Sequence, residues 1–394
     1  MHRQGARALA AGVALILTAC TTGTSSQERQ TAEAPALRVT EIAGGLEHGW
    51  DVGFLPDGQL LVPQRPGRLA LVSGTQPGAT AREVRADFSD VLVSGEGGLM
   101  GMVVHPDFAE SRRFTTCQTH ERDGQAVDVR LVTWQLARDG GSARRVADPL
   151  LAGLPVNPSG RHSGCRPTMG PDGSLLVGTG DSASAAVAQD RASLGGKVLR
   201  LDLNTGEPLR DNPFADSRDR NERFVYSYGH RNVQGVAVRP GTDQVLLSEH
   251  GPSEDDEVNL LRRGGNYGWD PSRGGTEHSY DEDVPMTDRD RFPDAIRPLW
   301  TSGDTTEAIC GAAFLSGRMW GQLDGALAVV ALRGAKLLLF TLNRDGAVRE
   351  VALPGELDER YGRLRAARAG PDGALYVTTT NGADDQLLRV TPAR

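Results

Sequence analysis

The chain is poor in cysteine, with four in 394 residues. None lies in a CxxC pair or a Cys/His cluster with zinc-site spacing, so a structural zinc module is excluded. There is no basic excess either: 43 Lys and Arg stand against 51 Asp and Glu, for a net charge of −8. That excludes a general nucleic-acid binder, which needs a basic face. Long apolar runs are missing, and the one candidate, Ala8–Leu17, is too short to cross a bilayer as a helix. The glycine-rich run Ser94–Gly101 (SGEGGLMG) carries no phosphate-loop lysine and opens no helix, which argues against a nucleotide loop. A Gly-x-Ser-x-Gly hydrolase elbow and EF-hand spacing are also absent.

What is present is turn chemistry. The chain holds 49 glycines and 22 prolines and few helix-like runs, which predicts many short strands. From about residue 37 a Pro-Asp-Gly turn followed by an apolar strand recurs: LPDGQLLVPQRPGRLALV (55–72), GPDGSLLVGTGD (170–181) and GPDGALYVTTT (370–380). Looser versions lie at 239–250 and 323–342. Proline presets φ at one turn position and glycine accepts positive φ at another. The Leu/Val/Tyr-rich strands that follow read as buried on both faces. Repetition over the whole body, with no linker dividing it, predicts one all-β domain, residues 37–394, built as a six-bladed β-propeller. The last strand, Gln386–Thr391, is expected to close the ring beside Leu37–Ile42, and Thr276–Asp294 to form a long loop.

The N-terminus reads as an export signal. Arg3 and Arg7 precede the apolar run, and Leu17-Thr18-Ala19-Cys20 is similar to a bacterial lipoprotein cleavage box. Residues 1–19 are then a signal peptide, Cys20 the lipidated first residue, and 20–36 a Thr/Ser/Gln/Glu/Ala-rich tether. A plain signal peptide cut nearby is the alternative. The expected location is the outer face of the cell membrane, with the lipid as the only membrane contact. Cys117, Cys165 and Cys310 remain; export permits a disulfide, and the odd count leaves one thiol over.

Four groups of residues can carry chemistry. Arg231-Asn232, in GHRNVQG (229–235), can clamp an anion or can brace a loop. Arg363 and Arg365 share one face of an extended strand, and two guanidiniums side by side suit a polyanionic ligand, although a solvated edge gives the same text. Asp255-Asp256-Glu257, beside Gly251-Pro252 and before Tyr267, offers carboxylates and carbonyls to a hard cation, or forms a surface loop. His162 sits in a glycine-flanked loop ahead of a strand ending at Asp181, and its ordinary pKa suits a general base.

Taken in order, these blocks resemble the soluble PQQ-dependent sugar dehydrogenases, the glucose/sorbosone dehydrogenase family. The matching text includes GEGGLMGMVVHPDF, MGPDGSLLVGTGD, LGGKVLRLDLNTGEPLRDNPF, YSYGHRNVQGVAV, SEHGPSEDDEVNLL, GGNYGW and RLRAARAGPDGALYV, spread from about Leu46 to Val390. The resemblance implies a six-bladed propeller carrying pyrroloquinoline quinone (PQQ) and calcium at the top of its channel, and oxidation of aldoses to lactones. It implies His162 as catalytic base, Asp181 as the acid that orients it, and Arg231 as both cofactor ligand and polariser of the quinone carbonyl. Asn232, Arg363 and Arg365 become cofactor ligands, Gly251 and Pro252 carbonyl ligands of the cofactor's calcium, and Glu257 with Tyr267 a second, structural calcium site. The sequence departs from the family at Glu96, commonly glutamine at that cofactor- or substrate-contacting position, and at Arg333, where some members have lysine at a cofactor site. Arg161 replaces an acid found before the histidine in some relatives, and residues 301–311 match poorly. The partners implied are a small-molecule sugar and an electron acceptor. A non-catalytic glycan- or protein-binding propeller and a calcium-dependent lactonase are the other functions such a fold accommodates.

Overall fold

The computed structural model describes residues 2, 31–32, 36–275 and 279–393. Cys20, all but one residue of the expected signal peptide and most of the expected tether lie outside these residues. Among the described residues, no helix is long and apolar enough to cross a membrane. The body is six sheets, each with four antiparallel strands; in five these follow in chain order from the innermost outward, and in the sixth the outermost is the N-terminal strand. Their innermost strands are Gly53–Phe54, Leu99–Val104, Arg166–Met169, Val233–Val238, Ile309–Phe314 and Leu364–Ala369, and these begin blades I to VI. The all-β six-bladed propeller expected from the repeats is therefore the observed architecture.

Blade VI closes the ring. Its fourth strand is the N-terminal Leu37–Glu47, paired antiparallel with Ala383–Pro392 from Leu37↔Pro392 onward. Pairing the two ends of the chain within one blade locks the ring closed. At the rim, Thr31–Ala32 pairs in parallel with Val351–Ala352 of blade V, so two residues of the expected tether are a strand. The outer strand of that blade presents unpaired backbone groups, which an extended segment satisfies.

The Pro-Asp-Gly turns are one device used three times. Gly173 and Gly373 both adopt φ of 80°, a region open to glycine without steric cost. The Asp172 and Asp372 carboxylates accept from the backbone N–H two residues on, at 3.0 and 3.2 Å. The strands that follow, Leu175–Gly178 and Leu375–Thr379, are buried throughout, as is Leu60–Gln64. Neighbouring blades cover both of their faces.

Sequential antiparallel strands also decide where function collects. In each blade the turn between strands two and three lies at the same end of the ring as the crossover into the next blade. Arg65, Asp181 and His250 lie on turns of the first kind, and Glu96, His162, Arg231 and Arg363 on crossovers of the second. Below that end the channel is plugged by buried ions. Asp51, with no exposure, receives both Arg368 nitrogens at 2.7 Å and lies 3.0 Å from Arg166 Nη1. Burial alone would raise its pKa, but the two guanidiniums hold it at about 2. Three blades are pinned at one carboxylate. Trp50 rests on the plug, with Arg166 4.2 Å and Arg365 5.2 Å from its ring centre.

Candidate active site

A cavity of about 380 Å³ opens at this end, lined in part by Arg65, Glu96, His162, Arg231, Asn232, Glu282, Arg363 and Arg365. His162 is held from behind. Its Nδ1 is 2.8 Å from Asp181 Oδ1. Asp181 is fully buried and also accepts from Ala183 N (2.8 Å), Trp269 Nε1 (2.8 Å) and Tyr280 Oη (2.6 Å). Four donors on one carboxylate keep it acceptor-only, so His162 carries its proton on Nδ1 and leaves Nε2 as a free base facing the cavity. The backbone is bent to achieve this: His162, Ser182 and Ala183 have φ of 48°, 54° and 50°, strain of a kind concentrated at functional sites.

The His162 loop is fastened from two sides. Cys165, three residues on, is disulfide-bonded to Cys117 in blade II, with Cα atoms 6.1 Å apart. This settles the pairing that spacing left open, and Cys310 remains as the buried thiol. On the other side the loop packs backbone against backbone on the 94–98 turn, where Glu96 N–H donates to Gly160 C=O at 3.2 Å. A Cβ on Gly160 would stand 1.7 Å from Ser94 C=O, so glycines serve close approach here and not phosphate binding.

Arg231 and Asn232 are aimed by their neighbour. His230 is buried, stacked on Tyr267, and held between Ser227 Oγ and Glu249 Oε2 at 2.8 Å each. Glu249 also accepts from Arg231 N–H at 2.5 Å. With the backbone fixed, the Arg231 guanidinium reaches His250 C=O (2.9 Å) and Glu282 (2.6 Å). Asn232 Nδ2 donates to Glu96 Oε2 at 3.1 Å. Gln234 Nε2 and Ser163 N–H also donate to Glu96. The Glu96 carboxylate is thus engaged by the protein itself.

Arg363 and Arg365 line the cavity together, as their spacing predicted, and Arg65 joins them from blade I. Among the described residues none of the three has a carboxylate partner within ion-pair distance. Burial and mutual repulsion lower the pKa of both Arg65 and Arg363. Buried hydrogen-bonding atoms without a partner cluster here as well: Nε of Arg65, Arg231 and Arg365, and Asn232 Oδ1. The guanidinium donors among them suit an anionic, carbonyl-bearing ligand.

Other expected residues are placed differently. Arg333 is exposed and does not line the cavity; its neighbour Leu332 does, because the tight turn after Ala331 directs the arginine outward. Gly251 and Pro252 stand just behind His250, whose Nδ1 contacts Gly251 C=O at 2.6 Å. Asp256 is a buried brace, accepting from Gly251 N–H, Thr306 Oγ1, Glu307 N–H and Ile309 N–H. The Tyr267 hydroxyl is used up between Leu260 C=O and Arg262 N–H, leaving only its carbonyl for a metal. Glu257 is buried with two donors, Asn259 Nδ2 and Thr287 Oγ1. Burial, reinforced by Glu249, pushes its pKa up to about 8. Asn259 Oδ1 beside it has no partner, so a cation fits the chemistry of this spot. Among the described residues, no three His, Cys, Asp or Glu side chains form a metal cage.

Arg65, Tyr280 and Glu282 were not singled out from the sequence. Arg65 has the signal of its place, the turn between strands two and three. Tyr280 and Glu282 come from the 261–299 excursion of blade IV, which starts at the far end of the ring. It climbs beside Val225–Tyr228 through a parallel bridge at Tyr228↔Asn266 and a bond from Trp269 N–H to Gly229 C=O.

Fold and cavity together define a class: six-bladed propellers with an axial, arginine-rich site and an acid-oriented histidine. The family model for glucose/sorbosone dehydrogenase matches residues 46–389, and the chain belongs to that family. It is 32% identical to aldose sugar dehydrogenase YliI of Escherichia coli over 91% of this chain and 94% of that protein. It is 31% identical to quinoprotein glucose dehydrogenase B of Acinetobacter calcoaceticus over 54% of this chain and 48% of that one. Among solved structures, the PQQ-bound form of aldose sugar dehydrogenase from Streptomyces coelicolor is 30% identical, covers 91% of this chain and 99% of its own, and superposes with a TM-score of 0.71.

Proposed function

We propose that this protein oxidises aldose sugars at the anomeric carbon to lactones, using PQQ and calcium, with His162 as general base. One observation carries the reading. A histidine with its Nε2 free and its Nδ1 locked to Asp181 faces the same cavity as three guanidiniums lacking carboxylate partners. PQQ is a tricarboxylate quinone, so clustered arginines and a divalent cation suit its charge. Arg65, Arg363 and Arg365 would hold its carboxylates, and Arg231 and Asn232 would meet its carbonyl edge. Gly251 and Pro252 would offer carbonyls to a bound calcium, and Glu257 with the Tyr267 carbonyl would serve a structural one.

The bound quinone supplies the hydride acceptor for the anomeric carbon. This chain supplies the proton chemistry: His162 Nε2 takes the hydroxyl proton, and Asp181 stabilises the imidazolium that results. Glu96, held by Asn232 and Gln234, presents its remaining acceptor capacity to ligand hydroxyls. Export and lipidation at Cys20 would bring the enzyme to electron acceptors at the membrane. The test is reconstitution of purified protein with PQQ and calcium, followed by dye reduction on a panel of aldoses. Sugar-dependent turnover that needs PQQ and is lost in His162→Ala is expected. Turnover unchanged in His162→Ala, or no PQQ binding by absorbance titration, would overturn the proposal.

A further inference from the structure

Glu282 sits inside the cavity but has no part in the roles above. One of its oxygens, Oε1, gathers three neighbours. It accepts from Arg231 Nη2 at 2.6 Å and Arg161 Nη2 at 3.0 Å, and lies 3.9 Å from His162 Nε2. These groups come from two different crossovers, the one into blade III and the one into blade IV. Two guanidiniums donating to one oxygen make an oxyanion receptor.

We propose that Arg161 and Arg231 form an oxyanion subsite, that Glu282 is its built-in occupant, and that a carboxylate-, phosphate- or sulfate-type ligand binds there by displacing the Glu282 carboxylate. Exposure makes the exchange one-sided. The Glu282 side chain is 38% exposed and the Arg231 side chain 4%, so the acid can rotate into water while the guanidinium cannot follow. A buried guanidinium left bare is costly, which favours replacement by another oxyanion. Arg161, half exposed, tolerates either partner. Glu282 is a charged competitor at neutral pH: its partial burial favours the neutral acid, but the Arg231 bond and charge outweigh this and lower its pKa. The cavity's other carboxylate, Glu96, is engaged by Asn232, Gln234 and Ser163 and does not hold these arginines. Across the cavity Arg65, Arg363 and Arg365 draw anions in, so Glu282 is the group an entering anion meets as a rival.

The subsite stands on this geometry; only the expectation that PQQ, meeting Arg231 with its carbonyl edge, also displaces Glu282 rests on the function proposed above. Inorganic sulfate is the primary probe, titrated calorimetrically into the full chain as wild type, Glu282→Ala, Glu282→Gln and Glu282→Ala with Arg161→Ala. Loss of one charge-assisted rival predicts sulfate affinity raised about tenfold or more in both single variants, with the gain abolished by the added Arg161→Ala. Single variants within twofold of wild type, or a gain that survives Arg161→Ala, overturn the subsite. Glu282→Gln, which keeps the side chain's shape, carries the comparison if the alanine variant is misfolded. A parallel PQQ titration by tryptophan fluorescence separates the two ideas. A sulfate gain without any PQQ binding upholds the subsite and sinks the cofactor reading, and PQQ binding without a sulfate gain does the reverse.

Discussion

Replacing Asp181 by asparagine tests the proposed chemistry at its most determined point. The carboxylate takes His162 Nδ1 and Ala183 N–H on Oδ1, and Trp269 Nε1 and Tyr280 Oη on Oδ2. An asparagine must turn an NH2 toward one of these pairs. The Tyr280 hydroxyl can rotate and become an acceptor, and His162 can change tautomer, but Ala183 N–H and Trp269 Nε1–H can only donate. Either orientation therefore sets donor against donor in a fully buried place, at a cost of about 1–3 kcal/mol in stability. If the amide faces His162, the imidazole proton moves to Nε2 and the base is lost. If it faces Trp269, the base survives but the forming imidazolium has no charge opposite it. Both routes lower turnover, by roughly 10²–10⁴ for a lost or unsupported general base. The assay is steady-state dye reduction by PQQ-loaded Asp181→Asn beside urea unfolding. A folded variant with wild-type turnover and wild-type stability would falsify the assignment of Asp181 as the orienting acid.

Three further outcomes are expected. Removing the disulfide as Cys117→Ser with Cys165→Ser releases a closure of 48 residues, worth up to about 4 kcal/mol by chain entropy; urea unfolding should show the loss, and an unchanged midpoint would contradict it. Glu257 binds its proton more tightly in the folded protein than in the unfolded chain, at about 8 against an ordinary 4.5. Calcium-stripped protein should thus be most stable below about pH 4.5, as far as this group is concerned, and lose that contribution as pH rises to about 8. Bound calcium should cancel the slope in a pH series of thermal unfolding, and equal slopes with and without calcium would remove Glu257 from the metal site. Finally, Cys20→Ser should move the protein from the membrane fraction to the soluble fraction on fractionation of an expressing bacterial host; a distribution unchanged from wild type would leave lipidation without support.

Much of this molecule was readable because its signals are local. The Pro-Asp-Gly turns predicted strands and their boundaries, and those strands do follow buried on both faces. Residues 361–365 predicted two arginines on one face, and both line the cavity. His162 and Asp181 were legible once a family pattern joined them, since nineteen residues of separation carry no spacing rule. Arg333 shows where pattern stops: one residue of turn geometry directs it to solvent and Leu332 inward. Tyr280 and Glu282 were hidden for a different reason. Their segment has no hydrophobic period, and it reaches the site by climbing the side of blade III from the opposite end of the ring.

The amino-acid sequence by itself determined the strands, the closing of the ring by its two ends and the residue types suited to an anionic ligand, because turn preference and burial pattern act over a few neighbours. The tertiary structure alone decided which of those residues meet. Arg65 joins Arg363 and Arg365, Cys165 finds Cys117, and Glu282 stands between Arg161 and Arg231. Such meetings depend on six blades packing around one axis, where small changes in turn and crossover geometry choose which side chain faces inward.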